Sequence, residues 1–167
     1  MYHFFVEPHQ IGAEEIRIEG ADVNHIRNVL RMKPGEEILI SSREGGDYFC
    51  RVEELEPEYV SAKILEEWEN KELPARIHLF QGLPKGDKME LIIQKAVELG
   101  AYRVVPVSMK RSVVKLDAKK ADAKRKRWNA VSESAAKQSK RSLIPEVASL
   151  MTYKEAVKEV AGYDMVL

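Results

Sequence analysis

The side chains best able to do chemistry here are cations, and they fall in two stretches. The first is Gly82-Leu-Pro-Lys-Gly-Asp-Lys88, where Lys85 and Lys88 stand among glycines, a composition suited to holding phosphate. The second runs from Lys110 to Arg127 and carries nine basic residues against only Asp117 and Asp122. Neither stretch is a nucleotide-hydrolysis loop, because Gly-Lys-Ser/Thr is missing. No GxGxxG follows a predicted strand, so a dinucleotide site is unsupported. A nucleophilic constellation is not evident either: His78 falls inside a predicted strand and the lone Cys50 lies in the other half of the chain. One cysteine allows no internal disulfide, and no zinc-ligand spacing occurs, so no metal is expected. Glu98 and Glu133 are the acids of the second half best placed for a cleft. Composition and spacing point to nucleic-acid binding and to no particular reaction.

The elements that must position these cations can be read outward from the first stretch. A short apolar run around Ile77 and Leu79 predicts a strand, and Gly82, Pro84 and Gly86 break it. Asp87 stands at an N-cap position with Glu90 three residues on, which predicts a capping box. Met89, Ile92, Ile93, Ala96 and Val97 recur at helical spacing, and Gly100 supplies the left-handed stop. Tyr102 to Val107 is the next apolar run. Strand, helix, strand predicts a βαβ unit with parallel strands. Ligands of such sheets bind beyond the carboxyl ends of the strands. That edge would carry both loops, 83–87 and 108–115.

Further along, a helix is predicted from about Asp122 to Lys140, with Arg127, Val131, Ser134, Gln138 and Arg141 on one stripe and Trp128, Val131 and Ala135 beside them. A short helix over 153–160 follows, and Asp164 to Leu167 reads as the start of a third strand.

The first seventy residues read differently. Short β-prone runs at 2–6, 16–18, 38–40, 48–55 and 59–65 surround one helix at 22–31, with a hairpin signal at Glu44-Gly-Gly-Asp47. An antiparallel β-barrel is expected. His25, Asn28 and Arg31 share the polar side of its helix, which by itself is equally a solvated face. Residues 66–74, charged and ending in proline, read as a linker. The charge balance changes sign there: residues 1–72 hold 8 of the 27 Lys/Arg and 17 of the 27 Asp/Glu, a net of −9, so residues 73–167 carry +9. Either the second half faces a polyanion, or the two halves attract each other, or the asymmetry is mere drift in composition. No signal peptide or membrane span is evident, so a cytoplasmic protein is expected.

Six blocks add a resemblance along the length of the chain. They are His25-Ile-Arg-Asn-Val-Leu-Arg31, Leu83-Pro-Lys-Gly-Asp-Lys88, Gln94-Lys-Ala-Val-Glu-Leu-Gly100, Arg111-Ser-Val-Val-Lys115, Arg127-Trp128 and Glu133-Ser-Ala-Ala-Lys-Gln-Ser-Lys-Arg141. In this order they resemble the RsmE family of bacterial ribosomal RNA methyltransferases. The resemblance implies an α/β protein: a PUA-like, RNA-binding β-barrel over residues 1–70, then the N-terminal part of a SPOUT methyltransferase domain with a parallel sheet over 74–167. It implies S-adenosylmethionine-dependent methylation of N3 of a uridine in 16S ribosomal RNA, by a homodimer, on RNA or the small ribosomal subunit. The family's GPEGG-type loop and LGxRILRxETA-type segment, which form the trefoil knot and cofactor pocket, do not occur up to Leu167. No cofactor-binding residue and no complete knot is therefore expected in this chain, which alone should bind the cofactor weakly or not at all and be inactive.

Uridine N3 must lose a proton before it can attack a sulfonium methyl, and donors at O2 and O4 would stabilise the anion. Arg111 is the expected donor, and Glu98 the base or the residue that orients Arg111. RNA contacts are expected at His25, Arg31, Lys85, Lys88, Lys115, Arg127, Gln138 and Arg141. The reading of a different class is a non-catalytic RNA-binding or ribosome-assembly module, which the charge division alone supports equally well.

Overall fold

The computed structural model describes residues 1–43, 45–69, 72–110 and 118–167, the side chain of Ala118 excepted. The chain divides into two compact units. One comprises residues 1–72 and 140–143, the other residues 73–139 and 144–167.

In the first unit, β1 (Tyr2–Val6), β2 (Glu15–Glu19), β3 (Glu37–Ser42), β4 (Asp47–Leu55) and β5 (Tyr59–Trp68) form one sheet in the order β1-β3-β4-β5-β2. Alternation builds its core. In β2, Ile16 and Ile18 are buried while Glu15, Arg17 and Glu19 face water. Ile38, Ile40, Cys50, Val52, Val60 and Ala62 join them, with Val23 and Ile26 from the helical segment. Each isoleucine or valine among them contributes about 1.5–3 kcal/mol on burial. Two expectations change. The pairing is mixed, because β1 runs parallel to β3, Tyr2 opposite Ile38. A parallel pair needs a long crossover, and residues 7–36 supply one through β2 and the helix. The result is a half-barrel.

The helical segment is α1 (Ala21–Asn24), continued by a widened π-turn, His25–Val29. It closes with Met32 N–H donating to the Ile26 carbonyl at 3.1 Å across Arg31, whose φ is +53°.

The second unit contains the predicted βαβ element. Strand β6 (His78–Gly82) runs parallel to β7 (Arg103–Ser108), Leu79 opposite Val104, and α2 (Lys88–Glu98) crosses between them. Met89, Ile93 and Val97 are its buried face. Gly100, at φ +97°, closes α2 with two back-bonds: Gly100 N–H to the Val97 carbonyl and Ala101 N–H to the Ala96 carbonyl. A Cβ at Gly100 would also stand 2.8 Å from Leu73 Cδ1. The start of α2 differs from expectation. Asp87 sits in a turn (φ −92°, ψ 9°) and makes no side-chain cap.

The long helix α3 (Ala118–Ser139) begins four residues earlier than its periodicity suggests and buries Trp128, Ala135 and Ala136. The third strand is not at 164–167. Its place on β7 is taken by two two-residue pieces, β8 (Glu146–Val147) and β9 (Met151–Thr152), both parallel to β7. Side chains of α3 hold β8. The Asn129 amide donates to the Val147 carbonyl at 2.9 Å and accepts from Val147 N–H at 3.0 Å, and Ser132 Oγ donates to the Pro145 carbonyl. Met165, Val166 and Leu167 are exposed and outside any strand. Helix α4 (Tyr153–Val160) starts with a reciprocal cap between Thr152 and Glu155, and Ala156 packs with Val105 and Val107 of β7. No helix among the described residues is long and apolar enough to cross a membrane.

Candidate nucleic-acid interface

Parallel register brings three strand ends onto one edge. Gly82 lies opposite Val107, and Val107 lies opposite Met151, so β6, β7 and β9 finish together. The loop after β6 is tied to that edge, with Leu83 N–H donating to the Val107 carbonyl at 3.0 Å. The loop after β7 starts against it: a Cβ on Gly82 would stand 3.2 Å from Met109 Cγ. A larger residue at Gly82 would require the Met109 side chain to shift. Lys85, Lys88 and Lys110 are exposed around this edge. Arg111 and Lys115 lie outside the described residues.

Helix α2 leads away from the edge, because the crossover helix of a βαβ unit runs antiparallel to its strands. Glu98, ten residues beyond Lys88, is therefore about 15 Å down the helix. That places it away from the loop edge, whereas the sequence suggested a cleft position. Its carboxylate is held by Lys95 Nζ at 2.6 Å and Gln94 Nε2 at 2.9 Å. The Lys95 hydrogen bond and then that of Gln94 hold the Glu98 carboxyl below the usual range, which weakens it as a base.

Arg127 lies where α3 passes the first turn of α2. It meets Glu90, Nε to Oε1 at 2.7 Å and Nη2 to Oε2 at 3.0 Å. Glu90, read from sequence as half of a capping box, is instead the partner of a cation. Residues 118–126 precede this contact and carry Lys119, Lys120, Lys124, Arg125 and Lys126. Their one acid is satisfied: Lys126 and then Arg125 hold the Asp122 carboxyl below its ordinary value. Gln138 is exposed near the far end of α3.

Arg141 is not a surface cation. It belongs to the first unit, and its side chain is 7% exposed. Its guanidinium grips both oxygens of Glu72, with Nε 3.1 Å from each, and Ser142 N–H donates to the same carboxylate at 2.9 Å. A planar fork matches a carboxylate, which is why arginine suits this buried place. The sequence suggested an RNA contact at Arg141; its guanidinium is instead engaged by Glu72. Ser142 Oγ also donates to Asp47, which accepts a second hydroxyl from Ser41, while His3 Nε2 lies 2.7 Å from Ser41 Oγ. Serine, histidine and aspartate meet here, but serine stands in the middle. A nucleophilic triad needs the histidine between the other two.

His25 and Arg31 are both exposed on the first unit, the His25 ring 6.5 Å from Phe4. Cys50 is buried within its core, which pushes its thiol up to about 12 and leaves it inert as a nucleophile. The described edge of the second unit thus offers fixed positive charge and exposed donors, the chemistry of binding a phosphate backbone.

Comparison with known proteins gives this chemistry a family. An RNA methyltransferase domain matches residues 71–167, and an RNA methyltransferase PUA domain matches residues 18–65. The chain is similar to the ribosomal RNA small subunit methyltransferase E of Bacillus subtilis (strain 168), 40% identical over 169 residues, covering 98% of this chain and 66% of that protein. A crystal structure described only as that of a hypothetical protein superposes with a TM-score of 0.91 at 40% identity, over 97% of this chain and 68% of the other. A ribosomal RNA small subunit methyltransferase E from Neisseria gonorrhoeae, solved bound to S-adenosyl methionine, gives a TM-score of 0.82 at 33% identity, over 95% of this chain and 66% of the other. The chain spans about half to two thirds of the length of the first curated relatives it matches. Across both units, then, the chain belongs to the RNA methyltransferase family whose curated members are named ribosomal RNA small subunit methyltransferase E.

Proposed function

We propose that this chain provides the RNA-recognising parts of an S-adenosylmethionine-dependent methyltransferase that modifies N3 of a uridine in 16S ribosomal RNA. The observation that carries the reading is the 40% identity to the Bacillus subtilis enzyme over nearly the whole chain. The basic carboxyl edge supports it. In this reading residues 1–70 are a PUA-like RNA-binding domain and residues 74–167 part of a SPOUT-type domain. The enzyme acts as a cytoplasmic homodimer on 16S RNA or the small subunit. Lys85, Lys88, Lys115, Arg127 and Gln138 contact RNA from the second domain, His25 and Arg31 from the first. Arg111 donates to the uracil oxygens as N3 gives up its proton.

The cofactor supplies an electrophilic methyl group. Its sulfonium is a cation, and the exposed lysines of the described edge do not fit it. They fit a polyanion. A second reading, a non-catalytic RNA-binding or assembly module, is supported equally well by the −9/+9 charge division taken alone.

Salt-dependent binding to a 16S RNA fragment tests the RNA half of the proposal. Lys85→Ala/Lys88→Ala should flatten the log–log salt slope by about 0.7–0.9 for each phosphate no longer neutralised. An unchanged slope would assign both lysines to a merely solvated loop.

A further inference from the structure

The third strand end on the basic edge carries an aromatic residue that phosphate binding does not explain. Tyr153 follows Thr152 at the exit of β9 and is the first residue of α4. It is 58% exposed, against 47% for Tyr2, and is the most exposed Phe, Tyr or Trp among the described residues. No ring or hydroxyl partner engages it among those residues. Tyr163, past the far end of α4, is by contrast packed edge-on against His78 and Phe80. Leaving a large ring in water forgoes its burial, so an exposed, unpartnered one on a ligand edge calls for an occupant.

Its position is fixed. Thr152 Oγ1 accepts from Glu155 N–H at 3.3 Å, and Glu155 Oε2 accepts from Thr152 N–H at 2.7 Å. Ser108 pairs with Thr152 in register, which anchors the helix start to β7. Gly82, Val107 and Met151 share one row, and adjacent strands are about 4.8 Å apart. The Lys85 loop and Tyr153 therefore leave the same edge about 10 Å apart. The charge around Tyr153 suits an anion. Glu155 is committed to the cap. Lys154 and Lys158 remain exposed.

We infer that Tyr153 is a stacking platform for an unpaired RNA base whose flanking phosphates lie on Lys85 and Lys88. The inference rests on the RNA-binding reading and adds to it a contact with a base. Bases splayed from single-stranded RNA stack on exposed aromatic rings without regard to sequence. The occupant is thus single-stranded RNA at this edge.

The test is the affinity of the chain for oligouridylate and for the same sugar–phosphate chain lacking bases, across a salt series. Tyr153→Ala should weaken oligouridylate binding roughly ten- to a hundredfold. It should leave the salt slope and the abasic oligomer unaffected, because stacking releases no counterions. Tyr153→Phe should bind as the parent does. Tyr153→Leu, which keeps apolar bulk without a π face, should resemble the alanine variant. Equal binding by Tyr153→Ala, equal loss on the abasic chain, or rescue by leucine would each overturn the inference while leaving backbone binding intact. Failure of the parent chain to bind either oligomer at low salt would overturn the RNA-binding reading and this inference together.

Discussion

Glu90 and Arg127 join the first turn of α2 to the middle of α3 through two parallel contacts, 2.7 and 3.0 Å long. The pair places a carboxylate inside the basic surface and fixes how far along α3 the lysine-rich turns begin. Glu90→Gln removes a negative charge and frees the guanidinium, so RNA affinity should rise at low salt and converge with the parent at high salt. Arg127→Ala should lower affinity and flatten the salt slope by about 0.7–0.9. The pair is exposed on the arginine side, so melting should change by less than the equivalent of about 1 kcal/mol in either variant. Filter binding across a salt series with parallel thermal melts checks both.

Arg31 occupies a left-handed position, φ +53°, at the end of the π-turn. Gly100 fills the matching place after α2. A left-handed conformation costs a non-glycine residue about 1–2 kcal/mol. Arg31→Gly should therefore be neutral or stabilising in urea denaturation, yet weaken RNA binding if the guanidinium contacts phosphate. A variant that gains no stability and binds RNA as before would remove Arg31 from the RNA surface.

Arg141→Ala tests the opposite assignment. It takes the guanidinium from Glu72, a carboxylate whose side chain is only 14% exposed, and keeps the Ser142 N–H bond to it. Breaking a buried pair typically costs about 3–5 kcal/mol. Denaturation should show a loss of that order, and the RNA salt slope of the remaining folded protein should be unchanged. A stable variant with a flattened slope would return Arg141 to the RNA surface.

The βαβ element was legible because several signals agreed: the broken apolar run at 82–86, the helical spacing of Met89, Ile93 and Val97, and the stop at Gly100. The two-residue strands β8 and β9 were not legible. They have no alternation of their own and are held by Asn129, Ser132 and β7 rather than by local propensity. The parallel pairing of β1 with β3 is likewise a tertiary choice, since a strand's pattern does not say which direction its neighbour runs. For the candidate site, Lys85 and Lys88 fall on the expected edge. Glu98 does not, because a stripe on a helix records which residues share a face, not which end of the helix meets the ligand; Arg141 does not, because it lies beyond the end of α3 and is buried on Glu72. Glu72, the partner of Arg141, is sixty-nine residues away in sequence, and nothing local signals it.

A pH dependence follows from His78, whose Nδ1 lies 2.8 Å from the Tyr163 hydroxyl. Burial first, then the Arg103 and Arg76 charges, lower its pKa, against an opposing pull from Glu159. A lowered histidine binds fewer protons folded than unfolded. Its contribution to stability is therefore complete above the ordinary value of about 6.5 and declines as pH falls below it. Thermal melts at pH 7.5 and 5.5 should show a loss on acidification that is smaller in His78→Gln. An equal loss in both proteins would place the sensitivity elsewhere.

The family assignment leads to a reaction, and one measurement meets it directly. The protein is incubated with small ribosomal subunits and with free 16S RNA in the presence of S-adenosylmethionine carrying a labelled methyl group. The RNA is then digested to nucleosides, and the labelled product is identified by mass spectrometry. The account predicts label in 3-methyluridine, reduced in Lys85→Ala/Lys88→Ala. RNA binding without any labelled nucleoside, or label at a ribose or another base position, would contradict it.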